Sequence, residues 1–389
     1  GYIFTRTIIE DVLAIRPGWR FYIVCPVGMT FSHPNVTPIQ PRYALTKYQA
    51  RFEFDWRELT LLLERTRPTK IDLLWVNQAE QAGNVTALVR NLERRSVPVF
   101  TYFHYPCVVG VSEAGPSYDP SLNDWSLGAL IHLRQYEALV CSDLAAVGSQ
   151  FARELLLTSF KQLFLSVPED RLITIPPPVD FDHVGEVTLP NRDPPTILYN
   201  HRLYEHYGTE QLINWIEHFK NTFSHSFKLL VTDPLVGRSS EQERLDSSVS
   251  KGRIRLRKLP YAQVVTPRNR SHYIELVRSA TVGLAPFREA PPWSMAAIDV
   301  MACGRPLLAP VTGPFPEILA RRSSLLFHDK DDFCDKLSRL LTSKDTWLED
   351  AQYCLSQSAR FHRKELGKRY ARLFEGVVSG LQHRGVNDG

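Results

Sequence analysis

The sequence predicts an α/β fold of two doubly wound, Rossmann-like domains, and three observations carry that prediction. Short apolar runs alternate with amphipathic segments through both halves of the chain, the pattern of βαβ units around parallel sheets. The pattern pauses at a proline-rich connector, Ile175-Pro-Pro-Pro-Val-Asp180, and restarts after Pro194 and Pro195. A length of 389 residues exceeds one small core and suits two domains of about 150 to 200 residues each. A rigid extended connector is a natural hinge, so the boundary is placed near residue 185. This gives domains 1–184 and 185–389, with the last helices able to cross back onto the first.

Composition narrows the class. Hydrophobic residues make up 43% and charged residues 23%, ordinary for a cytosolic-type globular protein and unlike a disordered or fibrous one. No run of eighteen apolar residues occurs, and the start lacks a charged segment followed by an apolar block, so neither a membrane span nor a secretory signal is expected. The six cysteines lack C-x-x-C spacing, which argues against zinc and a disulfide framework and for reduced thiols. A net charge of +4 and a pI near 8.7 tolerate anionic partners without demanding them.

In chain order, residues 2–15 read as a helix and 20–25 as a strand. An α/β domain normally begins with a strand and a Gly-containing loop, so the first strand is expected upstream, with Gly1 a remnant of its loop. Residues 43–54 are aromatic and basic without a period, 55–64 helical, 71–76 a strand, 85–95 helical and 97–103 a strand. His104 then stands at a strand's carboxyl end, where α/β folds reach ligands. A histidine simply bonded to nearby backbone is the alternative. Residues 108–125 are rich in Gly, Ser, Pro and Asp and read as a mobile loop. Helices are expected at 127–140 and 150–160, with a strand at 145–147.

After the connector, strands are expected at 196–200, 227–231 and 253–259, and helices at 209–219 and 271–280. A basic run, Lys251, Arg253, Arg255, Arg257, Lys258, Arg268, Arg270 and Arg278, is opposed within its span by Glu275 alone. It reads either as a solvated face or as a phosphate contact. The organising stretch follows: an apolar strand at 281–285, a polar loop, a helix capped by Ser294 and stopped by Gly304, and a second strand. Helix N-termini at such a rim direct unpaired N–H groups at anions, so Glu289, Trp293, Ser294 and Asp299 are read as lining a site for a phosphorylated ligand. Arg202 also follows a strand and suits phosphate oxygens, unless it pairs with Glu205 or Glu289. Asp299 could accept two bonds from a ribose diol, or be an exposed helix residue. No Ser-His-Asp order, HExxH, Walker loop or G-x-G-x-x-G fingerprint is present.

The motifs resemble those of family 4-type GT-B glycosyltransferases, which transfer sugar from a nucleotide-sugar with retention. Asp299-Val-Met-Ala-Cys-Gly-Arg-Pro-Leu-Leu-Ala309 is similar to the family's acid-Ala-Met-Ala-Cys-Gly-x-Pro-Val-x-Ala. Gly313-Pro-Phe-Pro-Glu-Ile318 resembles its Gly-Gly-x-x-Glu-x, and Ile175-Pro-Pro-Pro-Val-Asp180 its interdomain Ile-Pro-Asn-Gly-Val-Asp. The resemblance implies a UDP-, GDP- or ADP-sugar donor, no obligatory metal or other cofactor, Asp299 on the ribose, Arg202 on the diphosphate and His104 on the donor sugar. Catalytic roles fall to His104, Arg202 and Glu289; donor contacts to Gly1, Arg202, Tyr207, Thr232, Trp293, Ser294 and Asp299. Two departures stand out. Pro291 occupies the place of the family's first glutamate, with Glu289 two residues away, and Tyr207 replaces its lysine.

Two shorter segments point to the acceptor. Asn200-His-Arg-Leu-Tyr-Glu205 is similar to a stretch of tRNA-queuosine mannosyltransferases, and Trp293-Ser-Met-Ala-Ala-Ile-Asp299 looks like segments of phage enzymes that glycosylate hydroxymethyl-pyrimidines in DNA. These imply a nucleic-acid acceptor held by Arg42, Tyr43, Lys47 and Tyr105 or by the basic run. A glycan, lipid or metabolite acceptor, and a nucleotide-sugar-binding module without catalysis, are the alternatives.

Overall fold

A computed structural model of the chain describes residues 2–25, 29–40, 55–66, 70–120, 122, 127–180, 187–190, 193–233, 247–287 and 291–380. Gly1, Arg42, Tyr43, Lys47 and Glu289 lie outside the described residues. The chain forms two compact units, Gly1–Pro178 with Arg363–Gly389, and Val179–His362. Among the described residues no helix is long and apolar enough to cross a membrane.

The first unit opens with α1 (Tyr2–Ile15) and a parallel pair, β1 (Phe21–Val24) and β2 (Val36–Ile39). Helix α2 (Trp56–Thr66) leads to a parallel sheet of order β3-β4-β7-β8, built from β3 (Leu74–Val76), β4 (Val99–Phe103), β7 (Leu144–Val147) and β8 (Leu172–Thr174). Helices α3 (Ala82–Glu93), α4 (Gly128–Cys141) and α5 (Gln150–Gln162) connect its strands. Every residue of β4 and β7 is buried, as expected of strands covered on both faces. The chain's last helix, Arg363–Ser379, packs on α1: Phe4 meets Tyr370 edge-on, and Arg363 donates to Asp11 at 2.8 Å.

Residues 108–118, expected to be a mobile loop, instead form an antiparallel hairpin of β5 (Val108–Ser112) and β6 (Gly115–Tyr118). Its tight turn rests on Gly115, whose φ of 122° is open only to glycine. Buried Cys107 and Val108 fix its base in a small core with Leu122 and Ile131. The six cysteines are unpaired.

In the second unit six parallel strands run in the order β11-β10-β9-β12-β13-β14. These are β9 (Thr196–Tyr199), β10 (Lys228–Thr232), β11 (Ala262–Val265), β12 (Val282–Leu284), β13 (Leu307–Pro310) and β14 (Leu326–Phe327). The helices, in order, are α6 (Thr209–Thr222), α7 (Ser247–Lys258), α8 (Arg270–Arg278), α9 (Met295–Ala302), the short α10 (Phe315–Ile318), α11 (Lys330–Thr342) and α12 (Lys344–Ser358). The strand expected at 253–259 is therefore wrong. Arg253-Ile254-Arg255-Leu256-Arg257 alternates like a strand, but the buried positions are Val249, Gly252, Arg253 and Leu256, a helical spacing, and Ile254 is exposed. The strand comes next, at Ala262–Val265.

The central strand and helix α9 meet closely at Gly283, where a Cβ would lie 2.5 Å from Val300 Cγ1. Gly283→Ala is expected to overpack this contact and destabilise the second unit by roughly 1–3 kcal/mol. A lowered urea midpoint checks it; an unchanged midpoint contradicts the close packing.

Candidate functional site

Strand order in the second unit reverses between β9 and β12, and in open parallel sheets ligands bind beyond the carboxyl ends of the strands at that point. The residues leaving β9 are Asn200, His201 and Arg202; those leaving β12 run through Phe287 to Trp293, Ser294 and α9. Thr232 ends β10 and is buried. Ser294 caps α9 as its sequence suggests, its Oγ accepting from Ala297 N at 3.2 Å. The chain turns into α6 at Gly208, where φ is 72° and a Cβ would lie 2.7 Å from the Phe287 carbonyl oxygen. Only glycine lets these two rim segments touch. Beside it, Tyr207 accepts from the Tyr199 hydroxyl through its carbonyl at 3.3 Å.

His201 joins the two strands at the reversal. Its Nε2 lies 3.1 Å from the Leu284 carbonyl, which can only accept, so this nitrogen carries the proton. Burial pushes the imidazole down to about 3, and it is neutral at physiological pH. Arg202, next in sequence, is half-buried and makes no hydrogen bond or ion pair to another described residue. The pairing with Glu205 allowed by spacing is not formed. Trp293 lies edge-on to Phe361, and its buried indole Nε1 has no acceptor among the described residues.

Asp299 is 6% exposed, not an exposed helix residue. Arg270 grips its carboxylate with two bonds of 2.8 and 2.5 Å, and the Tyr273 hydroxyl donates to it at 3.0 Å. Asn200 Nδ2 in turn donates to the Tyr273 hydroxyl at 2.8 Å and to the Ala296 carbonyl at 2.9 Å. Burial, and then the adjacent Asp299 charge, raise the Tyr273 hydroxyl well above its ordinary value, so it remains a donor. Burial works against the Arg270 charge, but its bonds to Asp299 outweigh it and hold the guanidinium protonated.

Around Asp299, the sequence pattern singles out neither Asn200 nor Tyr273, and it places Arg270 elsewhere. Arg270 was counted in the basic run, which the structure divides. Arg253 is buried against Asp233, its Nε 2.7 Å from the carboxylate; Arg255 binds Glu210, Asn214 and Glu217; Arg270 binds Asp299. Lys251, Arg257, Lys258 and Arg268 remain exposed, too few to make the run one continuous phosphate face. The available signal was Asn269, whose side chain caps α8 by accepting from His272 N at 2.9 Å, setting Arg270 and Tyr273 on the first turn.

In the first unit, His104 follows β4 at its carboxyl end. Its ring lies 4.3 Å from Phe4 and 4.7 Å from Tyr102, and its buried Nε2 has no partner among the described residues. Burial drives its pKa down to about 3. Tyr105 packs its side chain on the Cys107, Val108, Leu122 and Ile131 core, and its carbonyl accepts from Gln135 at 2.8 Å.

Comparison with known proteins follows the same division. Residues 194–343 match the family described as glycosyl transferases group 1. A D-inositol 3-phosphate glycosyltransferase of Corynebacterium jeikeium is 27% identical over 125 residues, 31% of this chain and 29% of that protein. Sucrose-phosphate synthase from Thermosynechococcus elongatus superposes with a TM-score of 0.71 at 17% identity, covering 97% of this chain and 93% of its own. The chain has the GT-B fold. HepE of Anabaena, solved with UDP and glucose, superposes with a TM-score of 0.66 at 14% identity over 95% of both chains. The match to glycosyl transferases group 1 thus falls within the second unit of this GT-B chain, and the aligned segment spans under a third of the curated relative.

His104 and His201 make stability depend on pH. Both are neutral when folded and return toward 6.5 when unfolded, so between about pH 6.5 and 3 the unfolded chain binds the additional protons. Stability present at neutral pH is lost as pH falls through that window. His104→Gln should flatten the slope of unfolding free energy against pH below 6 by up to about 1.4 kcal/mol per pH unit. Urea titrations from pH 7 to 4.5 measure it; an unchanged slope contradicts a buried neutral imidazole.

Proposed function

We propose that the chain is a retaining glycosyltransferase that moves a sugar from a nucleotide-sugar to a hydroxyl acceptor. The observation that carries this reading is the pair of unspent donors at the β9/β12 reversal, the Arg202 guanidinium and the buried Trp293 Nε1, flanking the capped N-terminus of α9. Three groups that donate and cannot accept suit a diphosphate, and their value rises as charge grows on the departing nucleotide. Thr232, Tyr207 and Ser294 belong to the same rim as donor contacts, Asp299 is the acid assigned to the ribose, and Gly1 and Glu289 keep their assigned roles.

His104, neutral with an unspent Nε2, is suited to hold a sugar hydroxyl by a neutral hydrogen bond, not to act as a cation. Retention then follows front-face attack, the leaving phosphate taking the acceptor proton while protein groups orient and neutralise. The donor is a UDP-, GDP- or ADP-sugar. HepE, named with UDP and glucose, favours UDP as the first to test.

For the acceptor the proposed class is a hydroxymethyl-type base in nucleic acid. It rests on the resemblance of the 200–205 and 293–299 segments to nucleic-acid-modifying enzymes and on Arg42, Tyr43, Lys47 and Tyr105. A second reading, a small phosphorylated or sugar acceptor, is favoured by the names of the neighbours, a sucrose-phosphate synthase and a D-inositol 3-phosphate glycosyltransferase.

Nucleoside diphosphate release from UDP-, GDP- and ADP-sugars, with and without hydroxymethyl-pyrimidine DNA, tests the reading. DNA-dependent release that weakens steeply with salt is expected. Release indifferent to DNA but stimulated by a sugar phosphate replaces the acceptor, and binding without release from any donor contradicts catalysis. Arg202→Ala should lower turnover on the order of 100- to 1,000-fold with the fold intact; unchanged turnover removes Arg202 from the site.

A further inference from the structure

Asn200 holds a hydrogen-bonding valence that no described residue uses. It is 6% exposed, stands at the carboxyl end of β9 where strand order reverses, and its Oδ1 is buried without a partner among the described residues. A buried polar atom left unpaired costs on the order of 1–3 kcal/mol and calls for an explanation. A flipped amide is not one. Nδ2 lies 2.9 Å from the Ala296 carbonyl, which only accepts, so the nitrogen must face it.

The remaining bonds run in one direction. The second Nδ2 proton goes to the Tyr273 oxygen, the Tyr273 proton goes to Asp299 Oδ2, and the charge on Asp299 is held by the two bonds from Arg270. Both protons of the amide are spent on protein, and every member of the chain is oriented by the next. What remains is an acceptor, fixed in direction, beside the start of α9.

We propose that Asn200 Oδ1 accepts a hydrogen bond from a hydroxyl of the nucleotide-sugar, and that Arg270, Asp299 and Tyr273 are positioning residues for that contact. An amide oxygen repels phosphate oxygens and takes only a donor, and hydroxyls of the ribose and of the transferred sugar are the donors such a ligand carries next to its diphosphate. The inference rests on the donor-site reading above and adds to it a residue that selects hydroxyl over phosphate. It also gives Arg270 a purpose: without it, the buried Asp299 charge that orients Tyr273 would stand uncompensated.

Calorimetry of UDP and UDP-glucose binding, with GDP and ADP counterparts if these bind better, tests it on wild type, Asn200→Ala and Tyr273→Phe. Asn200→Ala should weaken binding about tenfold, the equivalent of one hydrogen bond. Tyr273→Phe, which leaves the bond to Ala296 in place, should weaken it less and stands in if Asn200→Ala does not fold. Equal loss on UDP and UDP-glucose assigns the partner to ribose, and loss on UDP-glucose alone assigns it to the transferred sugar. A ligand lacking the contacted hydroxyl, 2′- or 3′-deoxy-UDP in the ribose case or UDP-deoxyglucose in the sugar case, should bind wild type and Asn200→Ala equally, a coupling that a structural role would not produce. Wild-type affinity in both variants, or losses from protein and ligand that simply add, overturns the inference while leaving the donor site standing. A wild type that binds no nucleotide removes both.

Discussion

The second unit depends on the reversal of strand order at β9 and β12. From these neighbours the chain moves outward in opposite directions, to β10 and to β13, and right-handed crossovers then place α6 and α9 on opposite faces of the sheet. Neither of these two crossovers runs over the gap between the two strand ends. The His201 bond to the Leu284 carbonyl ties those ends together, and Gly208 lets the turn before α6 lie against Phe287. A crevice with stiff walls follows from topology, before any side chain in it is considered.

The side chains at that rim divide into two kinds. One set is paired within the protein: Arg270 and Tyr273 both donate to the buried Asp299 carboxylate, and Arg253 forms an ion pair with Asp233. The other set is left open: Arg202, Trp293 Nε1 and Asn200 Oδ1. A fold optimised for stability alone would close such valences, because each orphaned group costs free energy in the absence of ligand. Two donors and one acceptor on a single rim match the alternation of phosphate and hydroxyl along a nucleotide-sugar. His104 repeats the pattern at the carboxyl edge of the first unit's sheet, with a neutral ring held by aromatic neighbours and one nitrogen unspent.

Much of this was legible in the sequence where the signal is local. The β12 to α9 segment carried its own punctuation, an apolar triplet, a Ser294 cap and a Gly304 stop with φ of 66°, and its elements fall where these residues put them. The alternation of β and α likewise foretold the parallel sheets. Reading failed where period was ambiguous or partners were distant. Five residues around Arg255 alternate polar and apolar by accident, and only contact with α6 reveals the helix they form. The hairpin at 108–118 hid behind loop-like composition. The basic run looks like one feature because charge in a sequence has no direction, whereas folding turns Arg253, Arg255 and Arg270 toward different acidic partners. Asn200 and Tyr273 are 73 positions apart, and nothing short of the sheet order brings them together.

The central claim is that nucleotide binds the second unit at the β9/β12 reversal. Amide hydrogen exchange with and without a saturating nucleoside diphosphate tests it most directly, because it reads the site without assuming a donor sugar or an acceptor. The account predicts added protection concentrated in residues 200–209, at the end of β9 and the start of α6, and in 293–298 at the start of α9. Protection confined to the opposite, amino-terminal edge of that sheet, or to the β5–β6 hairpin of the first unit, would contradict it.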